Sequence, residues 1–228
     1  MPLILGTNSI KDTGYNVANS LRFDDGSSDS LTRTPSSASN RKTWTWSGWV
    51  KRSTLGSIQD LFNAYNPSGF WERFYFTSGD ILEYDNDIAG TDYTLNSEML
   101  FRDVSAWYHL VFAKDTTQST EADRLKIYVN GSQITLTEVA LGYPPQNTDG
   151  DINNNSYVHS IGKIASGSYF DGYMAEVCFI DGQQLTPTSF GEFDEDSGIW
   201  KPKDVSGLTF GTNGFYLDFE NSGSLGAD

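Results

Sequence analysis

Three acids stand at alternate positions in the stretch EYDND: Glu83, Asp85 and Asp87. In a strand, such positions share one face. Two carboxyl groups flanking a glycosidic bond, one as acid and the other as base or nucleophile, are the machinery of sugar hydrolysis. Spacing argues against that use here. A retaining pair must lie about 5 Å apart, whereas strand positions four apart have backbones about 13 Å apart. Asp87 is a methylene shorter than glutamate, and the NDIAG that overlaps it reads as a turn. These acids are therefore expected at a solvated strand end.

Other reactive residue types are equally sparse. Glu176 and Cys178 lie between two Asp-Gly pairs in YFDGYMAEVCFIDGQQLTP. Only one cysteine is present, which excludes an internal disulfide and any multi-cysteine metal site, so Cys178 is expected to be a packing residue. Alternation places Tyr173, Ala175, Val177 and Phe179 on one face of that run and Met174, Glu176, Cys178 and Ile180 on the other. His109 and His159 fall in separate strands and read as hydrogen-bonded strand residues. No Gly-x-Ser-x-Gly elbow, His-Glu-x-x-His pair or glycine-rich phosphate loop occurs, and no enzyme class is indicated.

Binding chemistry has more support. DGDINNN offers Asp149, Asp151, Asn153 and Asn155 at alternate positions, like the start of a calcium loop, but the glycine at position six and the glutamate at twelve are missing. Calcium is thus a weak candidate beside an ordinary polar loop. Asp24, Asp25 and Asp29 are weaker still, because Asp-Asp-Gly-Ser is common turn chemistry. For sugar binding, Tyr65, Phe70 and Trp71 surround Pro67 and Gly69, and Tyr143 stands in ALGYPPQN. Aromatic rings at loop tips stack on a pyranose face or meet a protein partner; the competing expectation is that Phe70 and Trp71 open the next strand and pack inward.

The elements that must hold these residues are strands. With 30 acidic against 15 basic residues, the net charge of −15 repels phosphate backbones and anionic membranes, so nucleic acid is not expected as a partner. No apolar run is long enough to span a bilayer, and MPLILGTNS lacks the features of a signal peptide. Period-two alternation recurs in TWTWSGWVK, IQDLF, FWERFYF, DILEYD, AWYHLVFAKD, RLKIYV, SQITLTEV, SYVHSIGK, YMAEVCFI and GFYLDFE. Asn130-Gly131 specifies a tight hairpin, and SSDSLTRTPSSASNRK reads as a loop. Thr186 and Pro187 can cap and open a single helical turn. The expectation is an all-β, two-sheet antiparallel β-sandwich (jelly roll) with one short helical turn after the penultimate strand. Its bounds are an extended arm over 1–19, the domain over 20–220 and a tail over 221–228.

The order of these motifs resembles the concanavalin A-like lectin/glucanase superfamily, in particular its laminin G-like and pentraxin-like jelly rolls, over about residues 20–190. The matching positions are Trp107 and His109, the Tyr128 to Gly131 hairpin, and Phe170, Gly172, Met174, Glu176, Val177 and Leu185. Ala175 departs from the pattern, standing where the family usually has aspartate. The finer texture, SLRFDDGSSDSLTRTPSSASNRKTWTWSGWVKR with GYMAEVCFIDGQQLTP and GTNGFYLDFENSGSLG, resembles virion proteins of tailed phages. That resemblance implies a non-catalytic fibre, appendage or capsid decoration component, assembled in the host cytoplasm and released by lysis. It also implies other virion proteins or further copies of the chain as partners, and, as the alternative, a lectin-like module with host-surface glycans as ligands and Ca2+ as an assisting ion. Glucan hydrolysis is the remote alternative that the superfamily implies.

Overall fold

The computed structural model describes residues 15–226. Most of the expected N-terminal arm, and residues 227–228 of the tail, lie outside them. Among the described residues, sixteen strands make up the architecture. The first eight are β1 (Leu21–Phe23), β2 (Leu31–Arg33), β3 (Thr43–Arg52), β4 (Gln59–Tyr65), β5 (Trp71–Phe76), β6 (Ile81–Asp87), β7 (Asp92–Leu100) and β8 (Tyr108–Asp115). The rest are β9 (Leu125–Val129), β10 (Ser132–Gln133), β11 (Leu136–Ala140), β12 (Val158–Ile161), β13 (Gly172–Asp181), β14 (Gly191–Phe193), β15 (Trp200–Pro202) and β16 (Phe215–Leu217).

One antiparallel sheet runs β1-β13-β3-β8-β9-β10, with β16 beside β1 on the same edge of β13. The other runs β11-β7-β6-β5-β4-β12-β2, and β14 pairs with β15 in a small third sheet. Between the two large sheets lies an aromatic core. Trp44 and Trp46 point inward from β3, fully buried, and Phe74 of β5 stacks on Phe112 of β8 with centroids 3.9 Å apart. Trp46 meets Phe74 edge-on at 5.1 Å. Each such side chain removes about 150–250 Å² from water, so this layer supplies much of the drive to pair the sheets. Trp49, on the opposite face of β3, sits outside the core against His109.

Several local expectations hold and several shift. Asn130 (φ 48°) and Gly131 (φ 83°) form the predicted turn between β9 and β10. SQITLTEV, a single alternating run in sequence, divides into β10 of one sheet and β11 of the other. β2 lies within the stretch read as a loop, and β7, β14 and β15 have no counterpart among the predicted strands. Pro187–Ser189 is a single 3-10 turn; Thr186 precedes it without making a side-chain cap bond, and its Oγ1 instead meets Thr188 Oγ1 at 2.9 Å. Of two further 3-10 turns, Asp25–Ser27 falls on the Asp-Asp-Gly-Ser turn chemistry, and Glu121–Asp123 was not expected.

The alternation read for β13 breaks at a bulge between Ala175 and Cys178. Glu176 adopts a left-handed conformation there (φ 52°), inserting one residue and reversing the faces beyond it. Met174, Val177 and Phe179 consequently join the main core, while Cys178 and Ile180 join a second cluster with Val111, Phe190 and Val205. Cys178 is thus a buried packing residue. The Glu176 carboxylate accepts hydrogen bonds from Tyr15 (2.6 Å) and Tyr216 (2.5 Å), tying the start of the described chain to β13 and β16.

Candidate functional site

The outward face of the second sheet gathers the polar and aromatic side chains that the sequence scattered over five strands. Strand register builds two rows. The first row crosses Ser160, Asn63, Arg73, Asp85 and Thr94 on β12, β4, β5, β6 and β7. The second crosses Asp60, Tyr75, Glu83 and Asn96 on β4 to β7. Tyr65 and Trp71 are direct partners at the end of β4 and the start of β5.

Hydrogen bonds fix this surface. Trp71 Nε1 donates to Asp85 Oδ2 at 2.7 Å, and Thr94 Oγ1 donates to Asp85 Oδ1 at 3.3 Å. The Tyr75 hydroxyl donates to Glu83 Oε1. Arg73 lies over the Tyr75 ring (3.9 Å) and the Trp71 ring (5.3 Å) and bridges Asp60 (3.4 Å) and Asp85 (3.5 Å). One guanidinium therefore serves several carboxylates. Burial pushes the fully enclosed Asp60 up to about 7, an effect Arg73 opposes and the nearby Asp85 adds to. Burial likewise raises Glu83, against the Tyr75 hydrogen bond. Asp60 and Asp85 are buried, so the face presents the half-exposed Glu83 as an oxygen acceptor together with a braced indole.

Of the four aromatic candidates, the structure joins Tyr65 and Trp71 on this face, with Phe70 between them in the β4–β5 turn. That turn is held by Asn66, whose backbone N–H donates to the Phe70 carbonyl (2.9 Å) and whose Nδ2 donates to the Tyr157 hydroxyl (2.8 Å). Trp71 does open β5, but its ring faces outward, not inward. Tyr143 stands apart, half-buried against the main core from the loop after β11. Asp60, Asn63, Arg73, Tyr75 and Asn96 were not anticipated. The alternation of Trp71, Arg73 and Tyr75 opposite Glu83 and Asp85 was the available signal, but the partnership needs the register.

The calcium candidates differ in their surroundings. Asp149 is exposed and 3.9 Å from Lys42; Asp151 is buried, pairs with Arg41 at 3.6 Å and is pushed up to about 7 mainly by burial. Asn153 is enclosed, its Nδ2 donating to the Asn40 carbonyl (2.7 Å) and to Asp181 (2.9 Å), and Asn155 is exposed. These side chains have different protein partners, while Asp151 Oδ2 and Asn153 Oδ1 are buried without a hydrogen-bond partner among the described residues. Another acidic group, Asp24, Asp25 and Asp171, has its carboxylate oxygens within 4.8 Å of one another. Arg22 and Thr54 already donate to Asp171, as Gly26 N and Ser27 Oγ do to Asp24. Asp29 instead accepts the Asp24 backbone N–H.

Both histidines are structural. Trp200 Nε1 donates to His109 Nδ1 (3.0 Å), which leaves His109 Nε2 to donate to Ser47 Oγ (2.9 Å). Asn153 N–H donates to His159 Nε2 (2.8 Å), so Nδ1 donates to the Tyr157 carbonyl (3.1 Å). Burial lowers them to about 3 and about 4 respectively. A recess of about 480 Å³ opens on the first sheet between Trp49, Trp107, Ala175, Lys201 and residues 15–20. Ala175, where the resembling family carries an acid, contributes only a methyl group to it.

A two-sheet antiparallel sandwich presenting a fixed aromatic and acidic face is the architecture of lectin-like β-sandwich modules. The chain belongs to the concanavalin A-like lectin/glucanases superfamily, a laminin G model of which matches residues 25–188. Among solved structures, it is similar to the heptameric SAP-like pentraxin of Limulus polyphemus, at TM-score 0.51 and 14% identity over 75% of this chain and 80% of that one. Domains LG4-5 of the mouse laminin α1 chain give 0.52 and 13% over 83% of this chain and 46% of that one. The enzymatically active domain of bacteriophage CBA120 tailspike protein 2 gives 0.50 and 14% over 75% of this chain and 26% of that one. The chain thus spans under half of the laminin segment and about a quarter of the tailspike domain, and at these identities the likeness is one of fold. No curated protein matches the chain in sequence. Among the described residues, no helix is long and apolar enough to cross a membrane.

Proposed function

We propose that the chain is a non-catalytic recognition module of a tailed-phage virion that contacts a carbohydrate through the outer face of its second sheet. The observation behind the binding role is Trp71, half-exposed, with its indole N–H held by Asp85 and its ring braced by Arg73. A platform already fixed loses little freedom when a sugar stacks on it, and the half-exposed Glu83 on the same face supplies an oxygen acceptor. The acidic face favours neutral or amino sugars over anionic ones. Binding is attributed to the protein's own side chains on this face, so a chelator should leave it unchanged.

Glucan hydrolysis is disfavoured by the same geometry. Asp87, the last of the three alternating acids, accepts the Gly90 backbone N–H at 2.6 Å and closes the β6–β7 turn. Glu83 and Asp85 are occupied by Tyr75, Trp71, Thr94 and Arg73. Release of reducing ends from any β-glucan would overturn the non-catalytic reading.

Binding is tested on a glycan array, followed by titration of the best hit. Trp71→Ala should weaken that hit about 30-fold, the loss expected of a central aromatic contact worth about 2 kcal/mol. Unchanged affinity would place the sugar site elsewhere. The virion role draws on the sequence texture and on the tailspike likeness in fold. Mass spectrometry of purified particles should recover the chain, and its absence from them would refute that part of the proposal.

A further inference from the structure

One polar cluster lies inside the sandwich, on the inner side of the β5 and β6 strands that carry the proposed carbohydrate face. Lys114 points inward from β8 with no exposed side-chain surface, its ammonium against Glu72 Oε1. Tyr84 donates to the same oxygen at 2.7 Å, and the backbone N–H of Ile152 donates to Oε2 at 2.9 Å. Directly opposite Glu72, on β6, stands Asn86. It too is fully buried. Both polar atoms of its carboxamide lack a hydrogen-bond partner of good geometry, although the Tyr84 hydroxyl is close enough to interact with it.

A buried primary amide left unsatisfied on both atoms is unusual in a native core. Side chains directly opposite on antiparallel strands have Cβ atoms about 5 Å apart, so the Asn86 carboxamide lies beside the carboxylate that holds the Lys114 amine. An amine, an amide carbonyl and a carboxylate able to move protons are thus enclosed together. Trp44, whose ring centre is 5.8 Å from Lys114 Nζ, lies over the amine. The aromatic core excludes the water that would compete as nucleophile.

We propose that Lys114 Nζ and Asn86 Cγ become joined by an intramolecular amide bond, formed with Glu72 as the proton carrier. The Lys114 ammonium gives one proton to Glu72, and the freed amine attacks Asn86 Cγ. A second proton passes from the attacking nitrogen to Nδ2 by way of Glu72; the Cγ–Nδ2 bond breaks and ammonia leaves. Ammonia takes up the remaining proton and restores the Glu72 carboxylate. No oxidant or cofactor enters the balance. The product links β6 of one sheet to β8 of the other through the core, a covalent tie that a chain with one cysteine cannot make as an internal disulfide.

Intact mass spectrometry of the purified full chain tests this directly. The expected mass is about 17 Da below that of the sequence, one ammonia, and a protease digest should yield one branched species containing both Lys114 and Asn86. Glu72→Gln and Lys114→Met should each restore the full mass. A parent chain at full sequence mass overturns the proposal, whether or not the variants fold. So does a deficit that maps to Asn130-Gly131, where a succinimide loses the same ammonia without a branch.

Discussion

Asp60 shows how strongly one side chain on the outer face of the second sheet depends on its surroundings. Burial lifts it to about 7, whereas an unfolded chain releases the same proton near pH ~4. Between those values the folded state holds a proton that the unfolded state has lost, so this group's contribution to stability falls as pH rises from about 4 to about 7. His109 and His159, lowered by burial, act in the opposite sense up to about pH 6.5, which flattens the parent's curve. Asp60→Asn removes one contributor. Its melting temperature relative to the parent should climb from pH ~4 to ~7 and then level off; a constant difference would mean that Arg73 keeps Asp60 ionised. At this scale the sequence was legible where identity alone decides, as with the lone Cys178. It was not legible for Asp60, whose environment is made by Arg73 thirteen positions away and by a fold that seals the pair.

Elements were readable where local chemistry sets them. Asn130-Gly131 demands its turn because both positions need left-handed backbone, and an added Cβ on Gly131 would also lie 2.5 Å from the Trp200 ring. Gly131→Ala should therefore destabilise the fold by about 1–3 kcal/mol through backbone strain and overpacking. Thermal melts would report the loss, and tryptophan fluorescence would shift as the Trp200 bond to His109 loosens. An unchanged melt would show that the Trp200 hairpin yields without penalty. Period-two alternation located the strands between β3 and β13 except β7, but could not show that β10 and β11 belong to different sheets. Nor could it foresee the β13 bulge: Glu176 looks like any strand residue until Tyr15 and Tyr216 are seen to hold it. The candidate face of the second sheet was half legible for the same reason, since Trp71 and Tyr65 stood out by type, while their polar neighbours converge only through register.

For the whole molecule, the laminin G match ends at residue 188, yet the packing does not. Phe215, Leu217 and Phe219 enter the main core, and Phe190 and Val205 close the second cluster. Burying each large apolar side chain contributes about 1.5–3 kcal/mol, against a typical total stability of about 5–15 kcal/mol. A chain ending at residue 188 should show no cooperative melt by circular dichroism and should bind a hydrophobic dye; a sharp transition near the parent's would limit the folding unit to the family match. The ends of the sheets bear on a different property. One sheet finishes in the two-residue β10 and the three-residue β1 and β16, the other in the three-residue β2 and the five-residue β11. Short borders give an approaching chain few free backbone groups to copy, and the net charge of −15 holds neighbours apart. Crowded side by side at high local concentration, such molecules resist templating one another into amyloid-like ribbons.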